Sequence, residues 1–221
     1  MREVFQQELA EVENGLVEIA KLVRTAIEQA VSAFANSDVA LAERVIAEDQ
    51  RIDDRALELD ELAIEILARQ APVARDLRTV VSALRMSASL ERMGDLAAHI
   101  AQLARLRFPE PAVPDRMRDA FVEMGRLDIE IARTLVELVD TQDEAVAERI
   151  KAMDDRVDEL HSAMFGLLND ADAEHPNSIV DATLASRYHE RFADHAVSIA
   201  KKVQYLTSGE WLQPKEAQSE L

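Results

Sequence analysis

Apolar residues return along the chain in alternating steps of four and three. Phe5, Leu9, Val12, Leu16, Ile19, Val23, Ala26 and Ala30 form one such seam, the spacing of a helix packed nearly parallel to its neighbours. It predicts a first helix to about Phe34. "ANSDVA" then offers Ser37 or Asp38 as an N-cap, and a second helix follows to about Arg69. Pro72 in "RQAPVAR" disfavours helix at Ala71 and lacks a donor, so the second helix ends there and a third runs from about Val73 to Leu106. "RFPEPAVPD" places three prolines within six residues, the sharpest break in the chain. Beyond it the pattern restarts. A fourth helix covers about Arg116 to Val139, "DTQD" caps a fifth to about Asn169, and "DADAEHPNS" leads into a sixth that ends at Gly209, a C-terminal cap glycine.

The restart is a repeat. "ALAERVIAEDQRID" (40–53) and "AVAERIKAMDDRVD" (145–158) agree at eight of fourteen positions, and "ERMGD" (91–95) is answered by "ERFAD" (190–194). A three-helix unit has been duplicated. Long helices with short links favour antiparallel up-and-down packing, so the expected fold is all-α: two tandem, symmetry-related three-helix bundles. The units are 1–107 and 115–209, joined by a Pro-rich linker at 108–114 and followed by a tail, 210–221.

Composition narrows the partners. The 221 residues carry a net charge of −18, which repels a phosphate backbone or an anionic membrane and favours cations and basic protein surfaces. With no cysteine, disulfides and thiolate metal sites are excluded and a reducing compartment fits. The N-terminal stretch lacks the apolar run of a signal peptide, and no segment approaches the roughly 18 apolar residues of a membrane span. A cytoplasmic protein is the expectation, reaching the membrane only through partners.

The acidic residues are patterned. Each half carries Asp-x-x-x-Asp on its second helix (Asp49 and Asp53; Asp154 and Asp158) and Glu-x-x-x-Asp on its third (Glu91 and Asp95; Glu190 and Asp194). Four-residue spacing puts each pair on one helical face, where like charges repel by about 0.2–0.5 kcal/mol. If the two helices are neighbours, four carboxylates per half converge, a hard-oxygen set suited to Mg²⁺, Mn²⁺, Ca²⁺ or iron. The competing reading is ordinary surface ion pairing with Arg44, Arg51, Arg55, Arg92, Arg149, Arg156 and Arg191. His99, one turn beyond Asp95, is either an added imidazole ligand, favouring iron or zinc, or a solvent-facing side chain. Its counterpart is Ser198. Arg75 and Arg78 flank Asp76 at the start of the third helix, either as solvated surface or as a basic spot for a partner's carboxylates.

"APVARDLR" (71–78), "LERMGDLAAHI" (90–100), "MDDRVD" (153–158) and "YHERFADHAVSIAKKVQYLTSG" (188–209) together resemble the PhoU family of phosphate-signalling proteins over about residues 1 to 210. The resemblance implies a pair of three-helix bundles whose acidic motifs bind metal ions, and regulation without catalysis. It carries the metal motifs onto Asp49, Asp53, Glu91, Asp95, Asp154, Asp158, Glu190 and Asp194, with magnesium, manganese or iron as the ion and zinc as a further candidate. It implies a negative regulator of the phosphate-starvation response that links the ATPase subunit of a phosphate ABC transporter to a membrane sensor histidine kinase, with a homodimer as a further candidate assembly. The sequence departs from the family where Asn commonly follows the motif Asp by four residues, having His99 and Ser198 there, and Gly94 has Ala193 as its counterpart. Two other classes remain. A ferritin-like metalloenzyme usually needs Glu-x-x-His on facing helices, and no Glu-x-x-His occurs. A structural scaffold needs only the helical seam.

Overall fold

The helices fall where the caps and prolines put them. In the computed structural model, which describes residues 2–169 and 176–209, the elements are α1 (Arg2–Asn36), α2 (Val39–Glu48), α3 (Gln50–Gln70), α4 (Ala74–Arg107), α5 (Asp115–Thr141), α6 (Glu144–Asn169) and α7 (Pro176–Ser208). Among the described residues there is no strand. The tail 210–221 lies outside the described residues.

Of the two N-cap candidates, Asp38 is the one used: its Oδ1 accepts from Leu41 N–H at 3.0 Å, while Ser37 takes a left-handed turn at φ 52°. Ala71, before Pro72, ends α3 in the left-handed region. Asp143 of "DTQD" accepts from Ala145 N–H at 2.9 Å. Gly209 closes α7 at φ +75°, its N–H on Tyr205 O at 2.9 Å.

The second rod differs from expectation. It is not one helix to Arg69 but two, meeting at Asp49. Asp49 keeps right-handed helical dihedrals (φ −56°, ψ −39°), yet its carbonyl is shared between Ile52 N–H at 2.8 Å and Asp53 N–H at 3.3 Å. The tighter i to i+3 bond locally overwinds the ladder. Its counterpart α6 runs unbroken through Asp154.

In the first half, α1 and α4 pack on each other and on α2 and α3; in the second, α5, α6 and α7 pack together. The halves meet through α1 on α5 and α4 on α7. A β-carbon on Gly125 would stand 2.6 Å from Val31 Cγ1, so glycine is what lets α5 approach α1 this closely. The buried apolar residues, from Leu9 and Val12 in α1 to Val203 and Leu206 in α7, form one contiguous cluster. The linker therefore joins two repeats of one hydrophobic core.

Candidate functional site

The junction of α2 and α3 lies against the middle of α4. Gly94 makes this possible, because a β-carbon there would stand 3.0 Å from Asp49 Oδ1 and 2.9 Å from Ile52 Cδ1. The Asp49 carboxylate thus rests on α4 beside Asp95. Its Oδ1 is buried with no protein partner. Burial first, then repulsion from Asp53, Asp95 and Glu91, pushes its carboxyl up to about 6. Asp53 is raised by burial and then by Asp95. Glu91 is raised by burial, with Arg92 pulling the other way. All four predicted carboxylates of the first half therefore share one patch.

The second half repeats the arrangement. Asp154 is pushed up to about 7 by burial, then by Asp158, Asp194, Asp155 and Glu190. Its Oδ1 is buried without a partner, as is Glu190 Oε2. Burial and Asp194 raise Glu190, while Arg187 and His161 lower it. Asp158 and Asp194 are exposed at the rim.

The arginines divide between the two readings. Arg92 donates to Asp95 Oδ2 at 2.9 Å and lies 4.0 Å from Glu91. Arg55, Arg149 and Arg156 turn elsewhere, to Glu18 and Glu58, to Glu137 and to Glu159. Arg187, which the sequence did not single out, pairs with Glu190. Asp49 and Asp154, the two of the eight pushed up furthest, are held down by no arginine among the described residues. No three acidic or histidine side chains among the described residues stand in a ready-made coordination shell. Each site offers an all-oxygen donor set, with Asp49 Oδ1 in the first and Asp154 Oδ1 and Glu190 Oε2 in the second buried and unpartnered. That fits a hard divalent or trivalent cation, provided the Arg92 and Arg187 pairs turn outward.

His99 packs against α7: its ring lies on Tyr188 at 5.1 Å between centroids, tilted by 35°, and its Nδ1 is buried without a partner. Arg78 lies against Gly209, 3.6 Å from where a β-carbon would be, so a cation meets the carbonyl end of α7. Asp60 joins the first cluster unforeseen: it is raised by burial and adds repulsion at Glu91. Its signal was available, since Asp53 and Asp60 stand two turns apart on one helical face. Also unforeseen are a buried pair, Asp128 with His189 at 2.6 Å, and a buried Asp181 held by the partly exposed Arg107. Asp128 interrupts the apolar stripe of Met124, Leu127 and Ile131, which is the clue a buried polar partner leaves in a sequence.

The PhoU domain family model matches residues 16–104 and 121–203, one segment in each half. The chain belongs to the PhoU family. A phosphate-specific transport system accessory protein, PhoU homolog 2 of Mycobacterium tuberculosis, is 40% identical over 210 residues, covering 95% of this chain and 99% of that one. PhoU homolog 1 of the same species is 33% identical over 210 residues, covering 95% of each chain. The crystal structure of PhoU from Pseudomonas aeruginosa superposes with a TM-score of 0.87 at 29% identity, covering 93% of this chain and 100% of that one. The phosphate transport system regulatory protein PhoU from Streptococcus pneumoniae gives 0.84 at 27%, covering 95% and 100%. The tandem helical fold and the PhoU resemblance are thus borne out. PhoU proteins are named as accessory and regulatory proteins, not enzymes, in agreement with the non-catalytic reading.

Proposed function

We propose that this PhoU-family protein is an accessory regulator of phosphate uptake that acts in the cytoplasm and holds the phosphate-starvation response off when phosphate is plentiful. The observation that carries the reading is its relation, over nearly its whole length, to a phosphate-specific transport system accessory protein. Its partners in this proposal are the ATPase subunit of the phosphate ABC transporter and a sensor histidine kinase. A net charge of −18 suits docking on basic patches of either, and no described helix is long and apolar enough to cross a membrane, so the contact with transporter and kinase is peripheral.

Each half would hold a metal ion: Asp49, Asp53, Glu91 and Asp95 in the first, Asp154, Asp158, Glu190 and Asp194 in the second. A bound cation supplies positive charge that cancels carboxylate repulsion. The chain's own part is to bring two helices together so that the carboxylates face one another.

A clean deletion strain tests the regulatory reading. Starvation genes should stay on in rich phosphate, and tagged full-length protein should capture the transporter ATPase and the kinase, with recovery that changes between high and low phosphate. Normal repression in a strain lacking every PhoU-family gene, or capture of neither partner, refutes it.

A further inference from the structure

A cleft of about 280 Å³ opens where the end of α1, the 108–114 connection and the start of α5 meet. Val31 and Phe34 of α1, Ala112 and Val113 of the connection and Phe121 of α5 make apolar walls, and His189 of α7 also lines it. Both phenyl rings lie against the imidazole, with centroids at 6.4 and 5.9 Å. This cleft takes no part in the carboxylate clusters.

His189 is 1% exposed, and its Nδ1 meets Asp128 Oδ2 at 2.6 Å. Its other nitrogen, Nε2, is buried and has no partner. Asp128 is wholly buried, so an uncompensated charge on the pair is costly. Two hydrogen placements leave the pair neutral: carboxylate with imidazolium, or carboxyl with neutral imidazole. In both, Nε2 carries a hydrogen. A donor without an acceptor on a residue that lines an apolar cleft is what a ligand oxygen completes once Phe34 and Phe121, packed against the ring, shift to admit it.

We propose that the cleft binds a small, uncharged, mainly apolar molecule with one hydrogen-bond acceptor, a carbonyl oxygen that accepts from His189 Nε2–H. At roughly 30 Å³ for each water-sized group, a cleft of about 280 Å³ admits about nine non-hydrogen atoms. Charge selects against an anion: Asp115 lines the cleft together with Arg118, whose guanidinium already donates to Ala35 O at 3.3 Å, and the whole chain carries −18.

Three probes of nearly one outline test this on the ¹⁵N-labelled full chain: acetophenone, α-methylstyrene, in which a methylene replaces the carbonyl oxygen, and benzoate. Acetophenone should give saturable shifts at cleft residues and at the His189 ring. The other two should bind about tenfold more weakly. Ala35→Phe, which fills the cleft and leaves the Asp128–His189 pair intact, should abolish binding of all three. The double variant Asp128→Val with His189→Leu removes the donor without stranding a charge, and it should erase the preference for acetophenone over α-methylstyrene. Should that variant not fold, the wild-type comparison and Ala35→Phe decide alone. Equal binding of the two neutral probes to wild type, tighter binding of benzoate, shifts confined to other regions or absent, or binding that survives Ala35→Phe overturns the proposal.

Discussion

Replacing Asp154 by asparagine takes one charge out of the second cluster and nearly keeps its shape. In the folded chain this carboxyl sits at about 7, raised by burial and by Asp158, Asp194, Asp155 and Glu190; in the unfolded chain an aspartate ionises near 3.9. A folded value above the unfolded one means that the native state holds the proton more tightly. The group's contribution to stability is therefore full below the unfolded value and is lost as pH rises through about 7. A gap of about three units sets a ceiling of about 4 kcal/mol at about 1.36 kcal/mol per unit. Asp154 is only half-buried, and solvent screening reduces this to about 1–2 kcal/mol. For a chain of this size each kcal/mol moves the melting temperature by about 2–4 °C. Thermal melts in chelator should therefore find Asp154→Asn about 2–8 °C above wild type at pH 8, the difference narrowing below pH 7 and gone by about pH 4. Adding Mg²⁺, Mn²⁺ or Fe²⁺ should reverse the order, since a ligand at a hundredfold excess over its Kd stabilises by about 2.7 kcal/mol and the variant lacks one donor. A variant less stable than wild type at pH 8 in chelator, or a difference independent of pH, refutes the repulsion argument. A wild type indifferent to every cation refutes the metal proposal.

Gly94→Ala sets a helix-propensity gain of up to about 1 kcal/mol against overpacking of about 1–3 kcal/mol at Asp49 and Ile52, so urea unfolding should show a net loss of about 1 kcal/mol; a gain would mean that the α2–α3 junction yields freely. His189→Leu alone strands the buried Asp128 carboxyl and should cost about 3–5 kcal/mol, most of it recovered when Asp128→Val is added. Equal losses in the single and double variants would show that the two residues are not a coupled pair.

Most of the helical architecture was legible because it rests on local signals. The four-three seam of α1 is the buried stripe, with Leu9, Val12, Leu16, Ile19, Val23 and Ala30 all in the core. Pro72 by its missing donor, Asp38 by its side-chain cap and Gly209 by its left-handed turn act locally, and tertiary context left them unchanged. The break at Asp49 was not legible from its own neighbourhood, since segments 40–53 and 145–158 align without a gap and neither contains Gly or Pro. Its setting is Gly94 on the opposing helix, far along the chain from Asp49. Arg187, by contrast, was legible, since it stands three residues before Glu190, the spacing at which side chains on one helix meet. The fusion of both halves into one core was hidden too, because a repeat is visible in sequence while the surface its copies share is not.

Repeating the acidic motif has not repeated its surroundings. In the first half, Gly94 admits Asp49 to the α4 backbone, Asp60 adds a fifth carboxyl, and Arg92 sits beside both Glu91 and Asp95. In the second half, Ala193 replaces the glycine, α6 runs straight, and Arg187 and His161 supply positive charge to Glu190 instead. Charge therefore reaches each cluster from a different arginine and a different helix. Both key carboxyls are held well above the ordinary aspartate range by the same two causes, burial and the neighbouring carboxylates. A cation entering either cluster would have to displace the proton that this carboxyl regains as pH falls, so its affinity in both would rise with pH through neutrality. The two sites share four residue types and differ in what packs behind them, Gly94 against Ala193 and Arg92 against Arg187.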